Sequence, residues 1–325
     1  PVMTVRVLVL GYPNAPQICH QLERLRAAGA DAHLVDPDLS THRFVSWDSG
    51  AIELADIDGR AFGAVLTRST PAESVSATSF GPDALRWGDW FELDCLHRCA
   101  FDTWMGMLMA LERESIPMFN AASAMLASRR KPAQLDLLRR AGCPVPRTLI
   151  TNDPERARRF IDQNSASIVK PVIGGALTRD ASALSDDDLA GLRLAPAMFQ
   201  ERIFGEDLRV IVLDGEVISS VAIGVPSGVI DFRGDEGYAS GQIGYSDAPL
   251  PEPVALACGR AARALGLRFG GIDIKRTAGG DHVFLEMNSS PIYLDVEEKM
   301  GHPITDRLCQ RIIESAAPAL RRPGR

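Results

Sequence analysis

The run FGGIDIKRTAGGDHVFLEMN (269–288) constrains the fold more than any other stretch of the chain. Two segments of alternating character flank Gly279-Gly280, a dipeptide of the type that closes antiparallel hairpins. Residues two apart on a strand share a face. Val283, Leu285 and Met287 are therefore expected on one side, and Phe284, Glu286 and Asn288 on the other. On the partner strand, Ile272 and Ile274 face one way and Asp273 the other. If Ala278 pairs with Asp281 across the turn, or if the loop is a symmetric four-residue one, Asp273 falls opposite Glu286. Opposed like charges destabilise a sheet, and a bound cation removes that penalty. Two carboxylates and the amide oxygen of Asn288 suit Mg²⁺, which keeps water and substrate phosphates in the rest of its shell. The alternative is a solvated strand face with screened charges. The facing carboxylates, the nearby amide and the turn glycines together favour the metal.

The chain before this hairpin reads as layers of strand and helix. VRVLVLG (5–11), DAHLVD (31–36) and FGAVLTRS (62–69) are strands, and APQICHQLERLRAAGA (15–30) is an amphipathic helix closing at Gly29. Such alternation argues an open α/β layer. Asp58-Gly59 adds a hairpin-type turn signal. The polar, Pro/Gly-punctuated stretch 71–88 reads as a loop, followed by a long helix to about Arg113 and a strand at IPMFN (116–120). Two helices follow, the second opening near Lys131-Pro132 and closing at Gly142. RTLIT (147–151) is a strand, and Asn152 or Asp153 before Pro154 starts a helix. SIVKPV (167–172), AMFQERI (197–203) and the pair 207–213/216–225, turning at Asp214-Gly215, are strands. Residues 253–266 and 302–316 are helical. The expected fold class is thus α/β with α+β, and the length of 325 residues argues two or three lobes.

Composition narrows the function by exclusion. A formal net charge of −7 gives no general nucleic-acid footprint, and no apolar stretch is long enough to span a bilayer. No secretory signal is visible, and six scattered cysteines form no disulfide framework, so a cytoplasmic protein with reduced thiols is expected. Cys95, His97 and Cys99 lie in a helix-like stretch where His97 points away from the two cysteines, and no second cluster completes a zinc set. After the first strand, GYPNAP lacks the glycine fingerprint of dinucleotide-binding folds, which makes a nicotinamide-dependent oxidoreductase a poor fit.

A metal that seeks phosphate calls for cations beside it, and the chain offers them in order. Lys131 precedes LDLLRRAGCPVPRT, and Lys170-Pro171 precedes a glycine pair. FQERIFGEDLRV, GGIDIKR and FLEMNSSP follow. This ordered set resembles the ATP-grasp ligases over about residues 118–316. The nearest branch is similar to the RimK-type amino-acid ligases and the graspetide synthetases, which cross-link ribosomal peptides through side-chain esters or amides. The resemblance implies an ATP-grasp fold with a Rossmann-like, pre-ATP-grasp lobe (1–120), a central lobe with a phosphate-covering loop (121–200) and a C-terminal lobe with the metal-binding hairpin (201–325). ATP is expected between the second and third lobes.

The same resemblance implies roles. Lys131 and Lys170 match the lysines that contact nucleotide phosphates. Gln200, Glu201, Arg202 and Ile203 match the adenine-recognising hinge. Asp207, with Glu206 as its substitute, matches the ribose-binding acid. Asp273, Glu286 and Asn288 match the ligands of Mg²⁺, two ions being expected and Mn²⁺ a substitute. Arg209 and Arg233 match positions near the transferring phosphate and the acyl phosphate, a task for which a planar guanidinium is suited. With Lys170 they form the expected catalytic set. Thr178 or Arg179 stands where the covering loop is poorer in glycine than in the family. The implied activity is ADP-forming ligation of a carboxylate, through an acyl phosphate, to an amine or hydroxyl, with a precursor peptide as one substrate class. A small-molecule or amino-acid ligase of RimK type and a non-catalytic nucleotide-binding protein are the alternatives. The resemblance also admits a homodimer.

Overall fold

The computed structural model describes residues 4–37, 45–48, 51–54, 57–71, 90–173, 177–224, 230 and 243–316. The first lobe contains β1 (Arg6–Leu10), α1 (Pro16–Ala27), β2 (Asp31–Val35), β3 (Val45–Asp48), β4 (Ala51–Leu54), β5 (Ile57–Asp58), β6 (Ala64–Thr67), α2 (Trp90–Arg113) and β7 (Met118–Phe119). Its main sheet is parallel, ordered β2-β1-β6-β7. Such a sheet is covered on both faces, which is why β1 is apolar and buried from Val7 to Leu10. Val7 and Val9 enter one core with Ile18, Leu22 and Leu25 of α1. Leu8 and Leu10 enter the other with Trp104, Leu108 and Leu111 of α2.

A hairpin at Asp58-Gly59 does not form. β3, β4 and β5 make a separate antiparallel sheet. Asp58 instead ends β5 and caps a 3₁₀ turn over Gly59–Ala61, its carboxylate accepting from Arg60 N at 2.9 Å. An Asp side chain that turns back on its own backbone competes with the hairpin geometry.

Two helices, α3 (Ala122–Arg129) and α4 (Lys131–Arg140), bridge to the second lobe. That lobe holds β8 (Thr148–Thr151), α5 (Pro154–Asp162), β9 (Ser167–Pro171), β10 (Arg179–Asp180), α6 (Asp186–Ala190) and β11 (Ala197–Glu201), its sheet ordered β10-β9-β11-β8. Asp153, not Asn152, starts α5: its carboxylate accepts from Glu155 N and Arg156 N. Phe160, Ile161, Leu189, Leu192 and Phe199 fill the core on one face of this sheet. Ile168, Lys170 and Gln200 lie on the other.

The third lobe contains β12 (Glu206–Leu213), β13 (Glu216–Gly224), β14 (Gly244–Asp247), α7 (Glu252–Ala264), β15 (Phe269–Arg276), β16 (His282–Asn288), α8 (Leu294–Met300) and α9 (Ile304–Ala316). Its five strands run β14-β13-β12-β15-β16, all antiparallel. Leu208, Val210, Ile272, Ile274, Phe284 and Met287 pack one face against α7. On the opposite face Ile211, Leu213 and Phe269 join the first-lobe core, to which α9 also returns through Leu308, Ile312 and Ala316. The polar end of that same face is left for the site.

The two hairpins of this sheet close differently. β12–β13 turns at Asp214 (φ 48°) and Gly215 (φ 86°), the expected two-residue turn. In β15–β16 the closing pair is Thr277 with Asp281, and Gly280 N–H donates to Thr277 O at 2.9 Å with φ 88° at Gly280. The loop is therefore three residues, Ala278 to Gly280, with a left-handed glycine. An odd loop shifts the register by one, so Ile274 pairs with Phe284. A one-residue bulge at Leu285 then restores it, and Asp273 faces Glu286 as expected. The bulge also corrects the faces. Phe284 turns into the core beside Met287, while Leu285 joins Glu286 and Asn288 on the cavity wall.

Candidate nucleotide and metal site

A cavity of about 740 Å³ opens between the second and third lobes, within the range of small-molecule sites. At its centre the carboxylates of Asp273 and Glu286 are side by side. Asn288 Nδ2 donates to Asp273 Oδ2 and to Glu286 Oε1, each at 3.2 Å. Gly270 and Gly271 make this possible: a Cβ on Gly271 would lie 2.7 Å from Pro291 Cβ, so the chain after Asn288 folds over β15 only because no side chain stands there. Lys131 forms an ion pair with Glu286, and Arg209 Nε lies 2.7 Å from Asp273 Oδ1 without hydrogen-bond alignment.

The environment separates the two acids. Withdrawal from water and the neighbouring Glu286 charge push Asp273 up from the ordinary 3.8 to about 6, against the pull of Arg209. Withdrawal from water also raises Glu286, but the Lys131 ammonium overrides it and holds that carboxyl down at about 2. Two hard oxygen acids and an amide form a donor set that fits a divalent cation. The amide now turns its nitrogen inward. A half-rotation about χ2 presents its oxygen in the same place. Among the described residues no group of three or more His, Cys, Asp or Glu side chains has metal-binding geometry, so any metal here rests on two carboxylates and an amide.

The remaining expected residues can be placed one by one. Lys170 and Thr178 line the cavity, whereas Arg179 is exposed at the start of β10. Gln200, Glu201, Arg202 and Ile203 line it where β11 leaves its sheet. Gln200 Nε2 donates to Thr148 Oγ1 at 2.9 Å, and Arg202 stacks over Phe204 at 4.8 Å. Asp207 lines the same wall, paired with Lys275 at 2.7 Å, while Glu206 is engaged by Arg276. Arg233 lies outside the described residues, as do Gly174, Gly175 and all of the 71–88 loop except its first residue.

Several positioning residues escape a reading of sequence. Gln134, one turn beyond Lys131, bonds both backbone groups of Met287: its Nε2 donates to Met287 O at 2.9 Å and its Oε1 accepts from Met287 N at 3.2 Å. That fixes Lys131 against Glu286. Gln17 and Gln21 of α1 are buried and hold the chain after Asn288. Gln17 Nε2 donates to Pro291 O at 3.0 Å, its Oε1 accepts from Tyr293 N at 2.7 Å, and Gln21 Nε2 donates to Tyr293 Oη at 2.7 Å. Arg68 Nη2 adds a bond to Pro291 O at 2.7 Å. Asn120 Nδ2 donates to Ser289 O in the same segment and to Phe269 O at the start of β15. The only available signal was the i, i+4 spacing of two glutamines on an otherwise apolar helix face.

Comparison with known proteins identifies relatives of this chain. Residues 128–312 match the model of the RimK-like ATP-grasp domain. A probable alpha-L-glutamate ligase of Citrobacter koseri is 31% identical over 211 residues, covering 61% of this chain and 68% of that protein. A ribosomal protein bS6–L-glutamate ligase of Salmonella paratyphi B is 30% identical over the same length, with the same coverage of 61% and 68%. Among solved structures, the ATP-grasp ligase PsnB complexed with a minimal precursor is 32% identical, covers 96% of this chain and 100% of its own, and superposes with a TM-score of 0.81. The macrocyclase MdnC of Microcystis aeruginosa, bound to its precursor peptide MdnA, has a TM-score of 0.78 at 19% identity, covering 95% and 100%, and shows the shared fold alone. Since the matched span takes in more than half of the chain and every described side chain at the centre of the cavity, this chain belongs to the RimK-like ATP-grasp family and is an ATP-grasp ligase.

Proposed function

We propose that this ligase uses ATP to convert a peptide side-chain carboxylate into an acyl phosphate and joins it to an amine or hydroxyl, releasing ADP and phosphate. The observation that carries this is the convergence of Asp273, Glu286 and Asn288 with Lys131, Lys170 and Arg209 on one cavity. A carboxylate oxygen is a poor leaving group, so the site must place the γ-phosphate beside it and balance the moving charge.

In this reading Lys131 exchanges Glu286 for nucleotide phosphate, and Lys170 approaches the phosphates from the opposite wall. Gln200, Glu201, Arg202 and Ile203 bind adenine, and Asp207 binds ribose, with Glu206 its substitute. Arg209 and Arg233 steady the transferring group. Asp273, Glu286 and Asn288 would hold Mg²⁺, two ions being the expected number and Mn²⁺ a substitute. When bound, the metal neutralises phosphate charge. We divide the chain functionally at 1–120, 121–200 and 201–325, in a protein of the cytoplasm, as a homodimer to be tested by light scattering.

Coverage favours a peptide substrate. Likeness to PsnB extends over 96% of the chain, first lobe included, whereas the glutamate-ligase relatives match 61%. The first lobe grips residues 289–293, and a peptide needs such a docking surface. An amino-acid ligase of RimK type is the second reading, supported by those relatives. The test is incubation with Mg²⁺, ATP and peptides bearing Asp or Glu together with Lys, Ser or Thr. Release of ADP with loss of one water mass per link is expected. AMP release, or activity confined to free amino acids, would overturn the proposal.

A further inference from the structure

Part of the cavity wall carries none of the residues assigned above to adenine, ribose, phosphate or metal. It is made by Tyr245, Asp295 and three isoleucines, Ile223, Ile230 and Ile292, with Ile223 paired across the strands with Asp207. Tyr245 on β14 sits across from Ile223 on β13, and its hydroxyl donates to Asp295 Oδ2 at the start of α8. Lys299, one turn on from Asp295 in α8, lies 5.4 Å from the Tyr245 ring and donates to Ile243 O at 2.9 Å.

Charge balance singles out Asp295. Asp207, Asp273 and Glu286, which line the same cavity, are each paired with a cation. Glu201 stands at the hinge, where β11 ends. Among the described residues Asp295 is held by a neutral phenol and forms no ion pair, so its negative charge is directed but not cancelled. Isoleucines and a carboxylate on one cavity wall suit a side chain with an aliphatic stem and a cationic head.

We propose that Asp295 binds the acceptor as a primary ammonium of lysine type and takes its proton. This rests on the ligase reading above and assigns its acceptor. Only an ammonium offers both a charge for Asp295 to attract and a proton within reach of a carboxylate. An alcohol offers no such charge and is a far weaker acid. One proton passes to Asp295, and the freed amine forms the C–N bond at the acyl carbon. The C–O bond to phosphate breaks with its electron pair, and the second amine proton leaves on the phosphate. Asp295 then releases its proton to water. Tyr245 is the positioning residue that aims the carboxylate.

The test is a competition for one acyl phosphate. The full-length protein, Mg²⁺, ATP and a peptide bearing a single Glu are mixed with butylamine and hydroxylamine together. Hydroxylamine is largely neutral near pH 7 and needs no base to attack. For Asp295→Asn the butylamide-to-hydroxamate ratio should fall about a hundredfold, a size within the range of general-base removal. For Tyr245→Phe it should fall less, about tenfold. A ratio unchanged in both variants overturns the proposal, since a merely structural role slows both products equally. A wild-type enzyme that esterifies butanol but ignores butylamine overturns the amine assignment. A wild type that forms no hydroxamate at all sinks the ligase reading itself.

Discussion

Two carboxylate–cation clusters occupy the five-stranded sheet, and they differ in how their charges balance. At the β12–β13 turn, Asp214 takes a bidentate pair from Arg268, both bonds at 2.7 Å, plus Arg311 at 3.1 Å. Arg268 is itself stacked over Phe119 at 3.8 Å. One acid meets two guanidiniums, and nothing is left to bind. At the other end of the sheet, two acids oppose each other directly, share one amide and draw one cation each from other elements. Saturated charge fixes a turn, whereas surplus oxygen from two opposed acids is the condition for recruiting a metal and a phosphate.

The largest expected contrast comes from removing one charge at each cluster. Asp273→Asn should lower ADP release by about 10²–10³-fold, with the thermal midpoint above about pH 6 preserved or raised because a buried, opposed like charge is gone. Asp214→Asn should do the reverse. It strips two arginines of their partner in a partly enclosed place and should cost about 1–3 kcal/mol, read by urea denaturation, while turnover per folded molecule holds. Equal effects of the two substitutions on turnover would erase the distinction.

A smaller effect separates the two acids within the site. Because Asp273 is raised from 3.8 to about 6, it holds its proton more tightly in the folded state. Its contribution to stability is therefore present at low pH and lost as pH rises through about 6. Glu286, lowered from 4.5 to about 2, contributes stability above 4.5 that is lost as pH falls toward 2. Metal-free protein should thus gain thermal stability between pH 6 and 4.5 relative to Asp273→Asn, by a few degrees at most. Parallel melting curves for the two proteins would remove Asp273 as the titrating group.

Much of this was legible in sequence where partners are close along the chain. The Asp214-Gly215 turn, the Gly29 and Gly142 helix ends and the opposition of Asp273 and Glu286 all follow from local rules. The last came out right although the loop has three residues, because the bulge at Leu285 cancels the offset. The same bulge put Phe284 on the core face, against simple alternation. Asp58-Gly59 misled because a side-chain cap competes with a hairpin turn. Lys275 opposite Asp207, Gln134 beneath Met287 and the glutamines of α1 remained invisible. Each acts on a segment far away in sequence, and only tertiary packing decides which buried polar group it satisfies.

In the proposed function the carboxylate pair holds a metal under a nucleotide. A crystal structure with Mg²⁺ and a non-hydrolysable ATP analogue tests it most directly. Mg²⁺ is expected at about 2.1 Å from oxygens of Asp273 and Glu286, with the Asn288 amide rotated to present its oxygen and Lys131 moved from Glu286 to phosphate. A bound analogue with no metal there, and Lys131 still on Glu286, would contradict it.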